Sequence, residues 1–293
     1  MTKSHSEEFS FKDLNQLLDP NNCLEITQAI DDGYDSEPPQ KARNYIGASN
    51  IGHPCDALLS FSLRGFPETS PDARLKRIFK LGHILEDVVI KDMKEKGDIR
   101  VWEKDGLTGR QHAYNLFGGH VNAHLDGHVE IQNTKTQYSE ISVLEVKSMN
   151  DASWKKYKKY GVRKSHPRYF AQCQMMMGMS GLGKTLFIAY NKNDSSYWIE
   201  VLTFDELEYA NLMARIEVIF ANEATKISHD KTDWRCKGCF KRGVCWDDDP
   251  VPVSCETCQH AQPKENGIWF CNEHQKEATK ACKDYDLYRP LPL

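Results

Sequence analysis

The sequence lacks any long apolar run. No stretch approaches the roughly eighteen apolar residues that a membrane-spanning helix needs. The chain does not start with a basic segment followed by an apolar core, so we expect no secretory signal and a cytoplasmic location. Neither sign of charge is in large excess. The chain has 38 Lys and Arg and 42 Asp and Glu, which gives a net charge of −4. This balance argues against a general polyanion binder. Internal repeats and low-complexity tracts are also missing.

The pattern most informative about chemistry is an aspartate followed nineteen residues later by Glu-x-Lys. Asp126 stands in the segment AHLDGH, and Glu145 and Lys147 interrupt the apolar run VLEVKS. Residues i and i+2 of a strand project from the same face, so Glu145 and Lys147 point the same way. Two carboxylates beside a lysine can hold a divalent cation and place a positive group at a scissile phosphodiester bond. The alternative is a solvated strand face with an ion pair.

A predicted helix lies upstream of this pattern and places an acid on its apolar stripe. The stripe has the three-four spacing of one helix face and consists of Leu75, Phe79, Gly82, Glu86, Val89 and Met93. A buried carboxylate is costly unless it is paired or binds a metal, and Gly82 would let the helix approach a sheet. The alternative is that Glu86 lies at the edge of the stripe and reaches water.

A second predicted helix lies downstream, over residues 169–177, and is mostly buried. It carries two amides, Gln172 and Gln174, and a buried amide needs hydrogen-bond partners. A metal-site carboxylate, a water molecule or a DNA phosphate would supply them, although structural glutamines are common.

Four short motifs, in this order, resemble the PD-(D/E)XK nucleases of the RecB and lambda-exonuclease kind over roughly residues 45–200: Gly82-x-x-x-Glu86, Asp126-Gly127, Glu145-x-Lys147 and Tyr169-x-x-Gln172-x-Gln174. The resemblance implies catalytic roles for five residues. Glu86, Asp126 and Glu145 would bind Mg²⁺ or Mn²⁺. Lys147 would orient or activate the attacking water, and Gln172 would support the site. Some members carry a metal-binding histidine in the first helix, which makes His83 the weaker alternative to Glu86.

The ten cysteines predict metal sites, because clustered cysteines in an intracellular protein bind metals more often than they form disulfides. Cys236-x2-Cys239-x5-Cys245 supplies three thiolates, and Cys55 is the best distant fourth. This arrangement resembles the iron–sulfur nucleases, such as the CRISPR-associated adaptation nucleases and the AddB subunit of bacterial end-processing complexes. The resemblance implies a 4Fe–4S cluster. Four thiolates also suit zinc.

A later cysteine set has the spacing of a small zinc module. Cys255-x2-Cys258-x12-Cys271 provides three ligands, and the fourth is Cys282 or His274. The preference of zinc for thiolates favours Cys282. A segment this short needs a metal to fold, so we expect a structural Zn²⁺. Cys173, in the glutamine helix, is predicted to be a small buried hydrophobe.

One segment matches the sequence pattern of a nucleotide-binding motif but lacks the predicted structure around it. Residues 178–185, GMSGLGKT, match the phosphate-loop pattern, which needs a strand before the loop and a helix after it. Here a Met-rich helix is predicted before it and a strand after it, continuing into a hairpin with residues 197–201. We therefore expect no ATP binding.

A basic segment follows the Glu-x-Lys strand. Residues 152–193 contain no acid. Their bases are interleaved with aromatics, which predicts contact with DNA through Lys155, Lys156, Lys158, Lys159, Arg163 and Lys164. The alternative is a solvated helix with its aromatics packed beneath.

These observations predict an α/β fold (an α+β mixed sheet) with a PD-(D/E)XK restriction-endonuclease-like core and C-terminal cysteine-rich metal-binding lobes. The polar lead-in covers residues 1–44, within which 31–39 are not expected to fold. The nuclease core covers 45–233 and ends in a helix over 205–225. The iron–sulfur lobe covers 234–249, and the zinc module covers 250–293.

The resemblance implies a DNA exonuclease that uses two metal ions in recombination, replication or end processing. Its substrate would be DNA ends, including single-stranded ones. A phage or prophage origin and a strand-annealing protein partner are implied by analogy. Three rivals remain: a structure-specific endonuclease, a non-catalytic DNA-binding protein on a decayed nuclease scaffold, and a cluster-bearing redox sensor.

Overall fold

The computed structural model describes residues 20–39, 41–132 and 138–293. These residues form two compact units, a small one of residues 20–39 and 70–81 and a large one of all the others. The helices are α1 Pro20–Asp35, α2 Ala48–Ile51, α3 Asp56–Leu63, α4 Ala73–Glu95, α5 Asp151–Ser165, α6 Pro167–Ser180, α7 Glu206–Phe220, α8 Trp234–Lys237 and α9 Arg242–Trp246. In this part of the chain no helix is both long and apolar enough to cross a membrane.

The strands form three sheets. They are β1 Ile46–Gly47, β2 Val101–Trp102, β3 Ala113–Leu116, β4 Val121–His124, β5 Gly127–Gln132, β6 Ser139–Met149, β7 Lys184–Asn191, β8 Tyr197–Thr203, β9 Ala261–Pro263, β10 Trp269–Cys271 and β11 Lys276–Glu277. The main sheet has the order β2-β5-β6-β7-β8, and the two small sheets have the orders β1-β4-β3 and β11-β10-β9. Within the main sheet β6 and β7 are parallel and the other neighbours antiparallel, so the predicted mixed sheet is confirmed.

Both faces of the central part of β6 are covered, and residues 142–146 are all buried. On one face Val143 packs in the same cluster as Tyr157 of α5 and Cys173 of α6. On the other face Leu144 packs in a cluster with Val89 of α4. Charged residues on this strand are therefore held between helices, and they need partners there. Cys173 is fully buried, as predicted.

The small unit contains α1, and here one sequence prediction is wrong. Residues Asp31 to Asp35 lie in the last turns of α1, although the sequence indicated no structure from residue 31 onward. The side chain of Asp31 pairs with Arg77, and the Arg77 guanidinium lies 5.5 Å from the centre of the Tyr34 ring. These polar contacts, which composition does not reveal, hold the helix. Residues 1–19 of the predicted lead-in lie outside the described residues.

The other predicted elements occur, with local differences. The predicted helix over residues 205–225 is α7, which ends at Phe220; the Asp205 side chain caps its start by accepting a hydrogen bond from Glu208 N. One residue of the predicted apolar stripe of α4, Phe79, is 46% exposed. Gly82 is not required by close packing, because a Cβ there would meet its nearest neighbour, Ser148 Oγ, at an ordinary 3.9 Å.

The order of elements around the GMSGLGKT segment is the one predicted. Helix α6 precedes it and strand β7 follows it, and β7 pairs with β8 as an antiparallel hairpin. A phosphate loop needs the opposite order, because the helix N-terminus must meet the phosphates. The segment has the letters of a phosphate loop without its geometry.

Candidate functional site

The structure brings together the five residues that the motifs indicated. Glu145 and Lys147 lie on β6, Asp126 immediately precedes β5, Glu86 lies on α4 and Gln172 lies on α6. Antiparallel pairing of Gly127 with Leu144 places Asp126 beside Glu145. The backbone N–H of Val146 donates a hydrogen bond of 2.7 Å to Asp126 Oδ2, which fixes that carboxylate.

Glu145 is the most deeply buried of these acids. Its side chain is 1% exposed, and Lys147 forms an ion pair with its Oε1. The Gln172 amide donates a hydrogen bond of 2.7 Å to the same oxygen. The other oxygen, Oε2, is buried and has no hydrogen-bond partner among the described residues. Burial, with a smaller effect of the neighbouring Asp126 carboxylate, raises the pKa of Glu145 to about 7.

Glu86 contacts Asp126 directly. Burial, the charge of Asp126 and a hydrogen bond with its side chain together raise the pKa of Glu86 to about 8. A hydrogen bond between two carboxyl groups requires a proton on one of them. His83, the weaker alternative ligand, is 83% exposed and lies 3.9 Å from Glu86 Oε2. It points to solvent, whereas Glu86 turns toward the other acids.

Lys147 is the cation of the site. Burial lowers its pKa, but the carboxylates of Glu145 and Asp126 outweigh burial and hold the pKa above its usual value. The ammonium also lies 5.5 Å from the centre of the Tyr169 ring. Lys147 therefore stays charged at neutral pH beside the acids. The sequence placed Tyr169 in the helix motif but assigned it no role, because contact with Lys147 requires knowing how α6 packs on β6.

These residues fit a divalent cation. A buried carboxylate oxygen without a partner is costly, and a bound cation is a usual way to satisfy it. Two further carboxylates stand beside it, and hard cations prefer such oxygen ligands. Among the described residues, ligand atoms of three acids do not all lie within 4.8 Å of one another at this site. One ion bound by all three would therefore require the side chains to move inward.

Gln174 does not belong to this group. Its amide donates to the carbonyl of Thr203 at 3.1 Å, and its oxygen accepts from Asp205 N at 2.8 Å. Gln174 therefore has the structural role that the sequence left open for these amides, and it ties α6 to the start of α7.

The basic segment lies on α5, and its aromatics divide into two groups. Trp154 and Tyr157 are buried in the core, so they are not available to stack on bases, whereas Tyr160 is exposed. Several of the predicted DNA-binding cations already have partners. Lys155 pairs with Asp151, Arg163 pairs with Asp205, Lys158 lies over Trp154 and Trp198, and Lys159 lies over Tyr160. Lys156 and Lys164 are exposed on the same helix.

The four cysteines of the first set line one cavity that is partly open to solvent. They are Cys55, Cys236, Cys239 and Cys245. Among the described residues, no three sulfurs of this set all lie within 4.8 Å of one another, and the same is true of the last cysteine set. Four thiolates around one cavity are a ligand set for an iron–sulfur cluster or for zinc.

The last cysteine set is held around the β9–β11 sheet. Cys255 lies close enough to Cys258, Cys271 and Cys282 for each of these thiols to affect its pKa, which burial raises. The His274 ring Nε2 lies 3.3 Å from Cys282 Sγ and 3.3 Å from Asp284 Oδ2. His274 and Cys282 are thus neighbours, and the structure offers both as the fourth ligand. Asp284 was not anticipated, since it lies outside the cysteine spacing.

The chain matches no protein-family profile and no curated protein. Among solved structures it is similar to the alkaline exonuclease LHK-Exo from Laribacter hongkongensis, at 17% identity and a TM-score of 0.38, over 61% of this chain and 88% of that one. LHK-Exo in complex with dAMP is similar at 20% identity and a TM-score of 0.40, over 61% and 87%. SSO0001 is similar at 13% identity and a TM-score of 0.40, over 78% of this chain and 98% of that one.

Proposed function

We propose that this protein is a divalent-metal-dependent DNA nuclease of the PD-(D/E)XK type, acting as an exonuclease on DNA ends. The observation that carries the proposal is Glu145. It is a fully buried carboxylate with one oxygen held by Gln172 and the other without a partner, next to Asp126 and Lys147. A purely structural ion pair would leave no such buried oxygen, because an unsatisfied charged group destabilises the fold.

Each side chain has a distinct role in this proposal. Asp126, Glu145 and Glu86 would hold Mg²⁺ or Mn²⁺, and Gln172 would keep Glu145 ionised and oriented, since its hydrogen bond lowers the pKa of that carboxyl. The metal would supply a Lewis acid at the phosphate and an activated water. Two ions bridged by such carboxylates are the usual arrangement for phosphodiester hydrolysis.

Lys147 would act on the substrate rather than on the metal. It is cationic at neutral pH and fixed by Glu145 and Tyr169. A positive group held in place before the reaction stabilises negative charge as it develops on the phosphate, and it can also orient the attacking water. The exposed cations of α5, with Lys156 and Lys164 the least engaged, would contact the DNA backbone beyond the site.

The first cysteine set would hold a 4Fe–4S cluster. Four cysteines line the cavity, and four thiolates are the ligands that such a cluster takes from a protein. In this position the cluster would join the loop that carries Cys55 to the segment 236–245 and brace the fold. The last set would hold a structural Zn²⁺ through Cys255, Cys258, Cys271 and Cys282.

The test uses anaerobically purified protein on end-labelled linear DNA and on closed circular DNA, with Mg²⁺ or Mn²⁺ added. Wild type is compared with Lys147→Ala and with Lys184→Ala. Lys184 is a matched control, because it also pairs with a glutamate of β6, Glu140, and it lies away from the acids. We expect wild type and Lys184→Ala to degrade linear DNA only, and Lys147→Ala to be inactive.

Other results would change the assignment. Cutting of closed circles would make the protein an endonuclease of the same fold. If the protein cuts neither DNA while it contains its iron and zinc, it is not a nuclease. Its function would then be DNA binding or redox sensing. Equal activity in Lys147→Ala and wild type would place any nuclease activity outside this site. A role beside a strand-annealing protein in phage recombination is the context we propose.

A further inference from the structure

The imidazole of His166 is held by two serine hydroxyls. His166 is the residue between α5 and α6, and its Nε2 lies 2.7 Å from Ser153 Oγ while its Nδ1 lies 2.7 Å from Ser165 Oγ. Both ring nitrogens are therefore hydrogen-bonded, and the ring can neither rotate nor tilt without breaking one of these bonds. No step of the proposed reaction has used this residue.

The direction of these hydrogen bonds follows from Ser165. Its hydroxyl donates to the carbonyl of Gly161 at 2.6 Å, so its oxygen must accept from His166 Nδ1–H. Nε2 of the neutral ring then accepts from the Ser153 hydroxyl. Burial and the nearby Lys156 lower the pKa of His166, which agrees with a neutral ring. The ring is thus held in one tautomer and one orientation.

This fixed ring stacks on Tyr169. The two ring planes are 11° from parallel, with centres 5.4 Å apart. Beyond it, the Tyr169 ring packs against Phe187 of β7, with centres 6.0 Å apart. The Tyr169 ring therefore has a neighbour on the side of His166 and another on the sheet, and the same ring contacts the Lys147 ammonium at 5.5 Å.

A chain of contacts runs from the two serines through His166 and Tyr169 to Lys147. An aromatic ring attracts an ammonium only where the ring's face meets it, so the orientation of the ring helps to decide where the ammonium lies. Misplacing a catalytic group by about 1 Å can cost about 10²-fold in rate. We propose that His166 is a positioning residue for Lys147, acting through the ring of Tyr169. The proposal rests on the nuclease function proposed above.

The test compares His166→Ala, His166→Phe and His120→Ala with wild type. His166→Phe keeps an aromatic ring that can stack on Tyr169. His120 is a control, because it is a buried histidine that also contacts aromatic rings, Phe220 and Trp269, but lies apart from Lys147. The measurements are kcat and KM on end-labelled linear DNA, the Kd for Mn²⁺, and the NMR signal of the ¹⁵N-labelled lysine ammonium assigned through Lys147→Ala.

We expect His166→Ala to lower kcat by about tenfold, with KM and the Kd for Mn²⁺ within about twofold of wild type, and to shift or broaden the Lys147 signal. His166→Phe should restore most of kcat and the signal, and His120→Ala should leave both unchanged. A general loss of folding would instead raise KM and Kd together and would not be rescued by phenylalanine.

Two results would overturn the proposal. One is wild-type kcat and an unchanged Lys147 signal in His166→Ala, and the other is an equal loss in His166→Ala and His166→Phe. Failure of the nuclease function is distinguishable, because wild type would then cut no DNA. The Lys147 signal would still show whether His166 controls the position of the ammonium.

Discussion

Two buried glutamines on one helix provide a paired test of the proposed site. Gln172 and Gln174 both lie on α6, two residues apart, and both are replaced by leucine, which has a similar volume. Gln172 donates to an ionisable carboxyl, Glu145, whereas Gln174 bonds only to backbone groups of Thr203 and Asp205. Both changes should destabilise the fold, but for different reasons.

The magnitudes follow from the partners. A hydrogen bond to a charged group contributes about 1.5–3 kcal/mol, and each neutral one contributes about 0.5–1.5 kcal/mol. Gln172→Leu removes one charged bond, and Gln174→Leu removes two neutral bonds. Each variant should therefore lose about 2 kcal/mol of unfolding free energy at pH 8. Their stabilities at one pH do not distinguish them, but their pH dependence does.

The pKa of Glu145 is raised from 4.5 to about 7, so the folded state binds a proton that the unfolded chain releases. The stabilisation that this proton gives to the folded state is fully present below about pH 4.5 and is lost as the pH rises to about 7. The free energy of unfolding changes by about 3 kcal/mol over this range. Gln172 favours the ionised carboxylate, so without it the pKa rises further and the loss continues to higher pH. The loss of unfolding free energy in Gln172→Leu, relative to wild type, should thus grow from pH 5 to pH 8.

Urea unfolding in divalent-free buffer at pH 5, 6, 7 and 8 measures these deficits, and calorimetry at pH 8 gives the Kd for Mn²⁺. We expect a deficit for Gln172→Leu that increases with pH and a Kd about tenfold higher than wild type. For Gln174→Leu the deficit should stay constant and the Kd should not change. Parallel pH profiles for the two variants would refute the argument that Gln172 acts on the charge of Glu145.

Three further outcomes are expected. Glu86→Gln should raise the Kd for Mn²⁺ by about tenfold in calorimetry without lowering the thermal stability of the metal-free protein, because the carboxyl it removes is held at a raised pKa by burial. Cys55→Ala should abolish the visible absorbance of anaerobically purified protein, while Cys173→Ala, which removes a thiol outside the cavity, should keep it. In elemental analysis Cys282→Ala should lose the zinc that His274→Ala retains; the reverse would make His274 the ligand.

The strands and helices that carry the acids could be predicted because their sequence patterns are set by burial. The central part of strand β6, from Val143 to Lys147, has apolar residues on both faces, so the two charged residues within it, Glu145 and Lys147, stand out. Glu145 proved to be fully buried, as an acid in such a strand must be. Burial also indicated that the two amides of the buried helix, Gln172 and Gln174, need hydrogen-bond partners. It did not indicate which groups they contact, and the role of Gln172 was implied by the resemblance to the PD-(D/E)XK nucleases.

Other features depend on contacts that a sequence pattern does not contain. Helix α1 extends over residues 31–35, where composition indicates no structure, and there Asp31 pairs with Arg77, whose guanidinium lies 5.5 Å from the centre of the Tyr34 ring. Trp154 and Tyr157 alternate with lysines in a way that is typical of a nucleic-acid surface, yet both pack in the core. An amphipathic helix with a basic outer face has the same sequence, so the pattern alone does not separate the two.

The contacts of His166 and Tyr169 next to Lys147 show most clearly why the rest of the site could not be predicted. His166 contacts Ser153 across a kink in α5 at Gly161, whose φ of +71° is a conformation that other residues rarely adopt. A Cβ at Gly161 would also lie 3.1 Å from the Glu200 carboxylate, which accepts a hydrogen bond from Val162 N. The residues that bind a metal must be acids at particular spacings, and they leave a trace in the sequence. A residue that orients a catalytic lysine through a second ring needs only the right shape and the right neighbours, and those are decided by the fold.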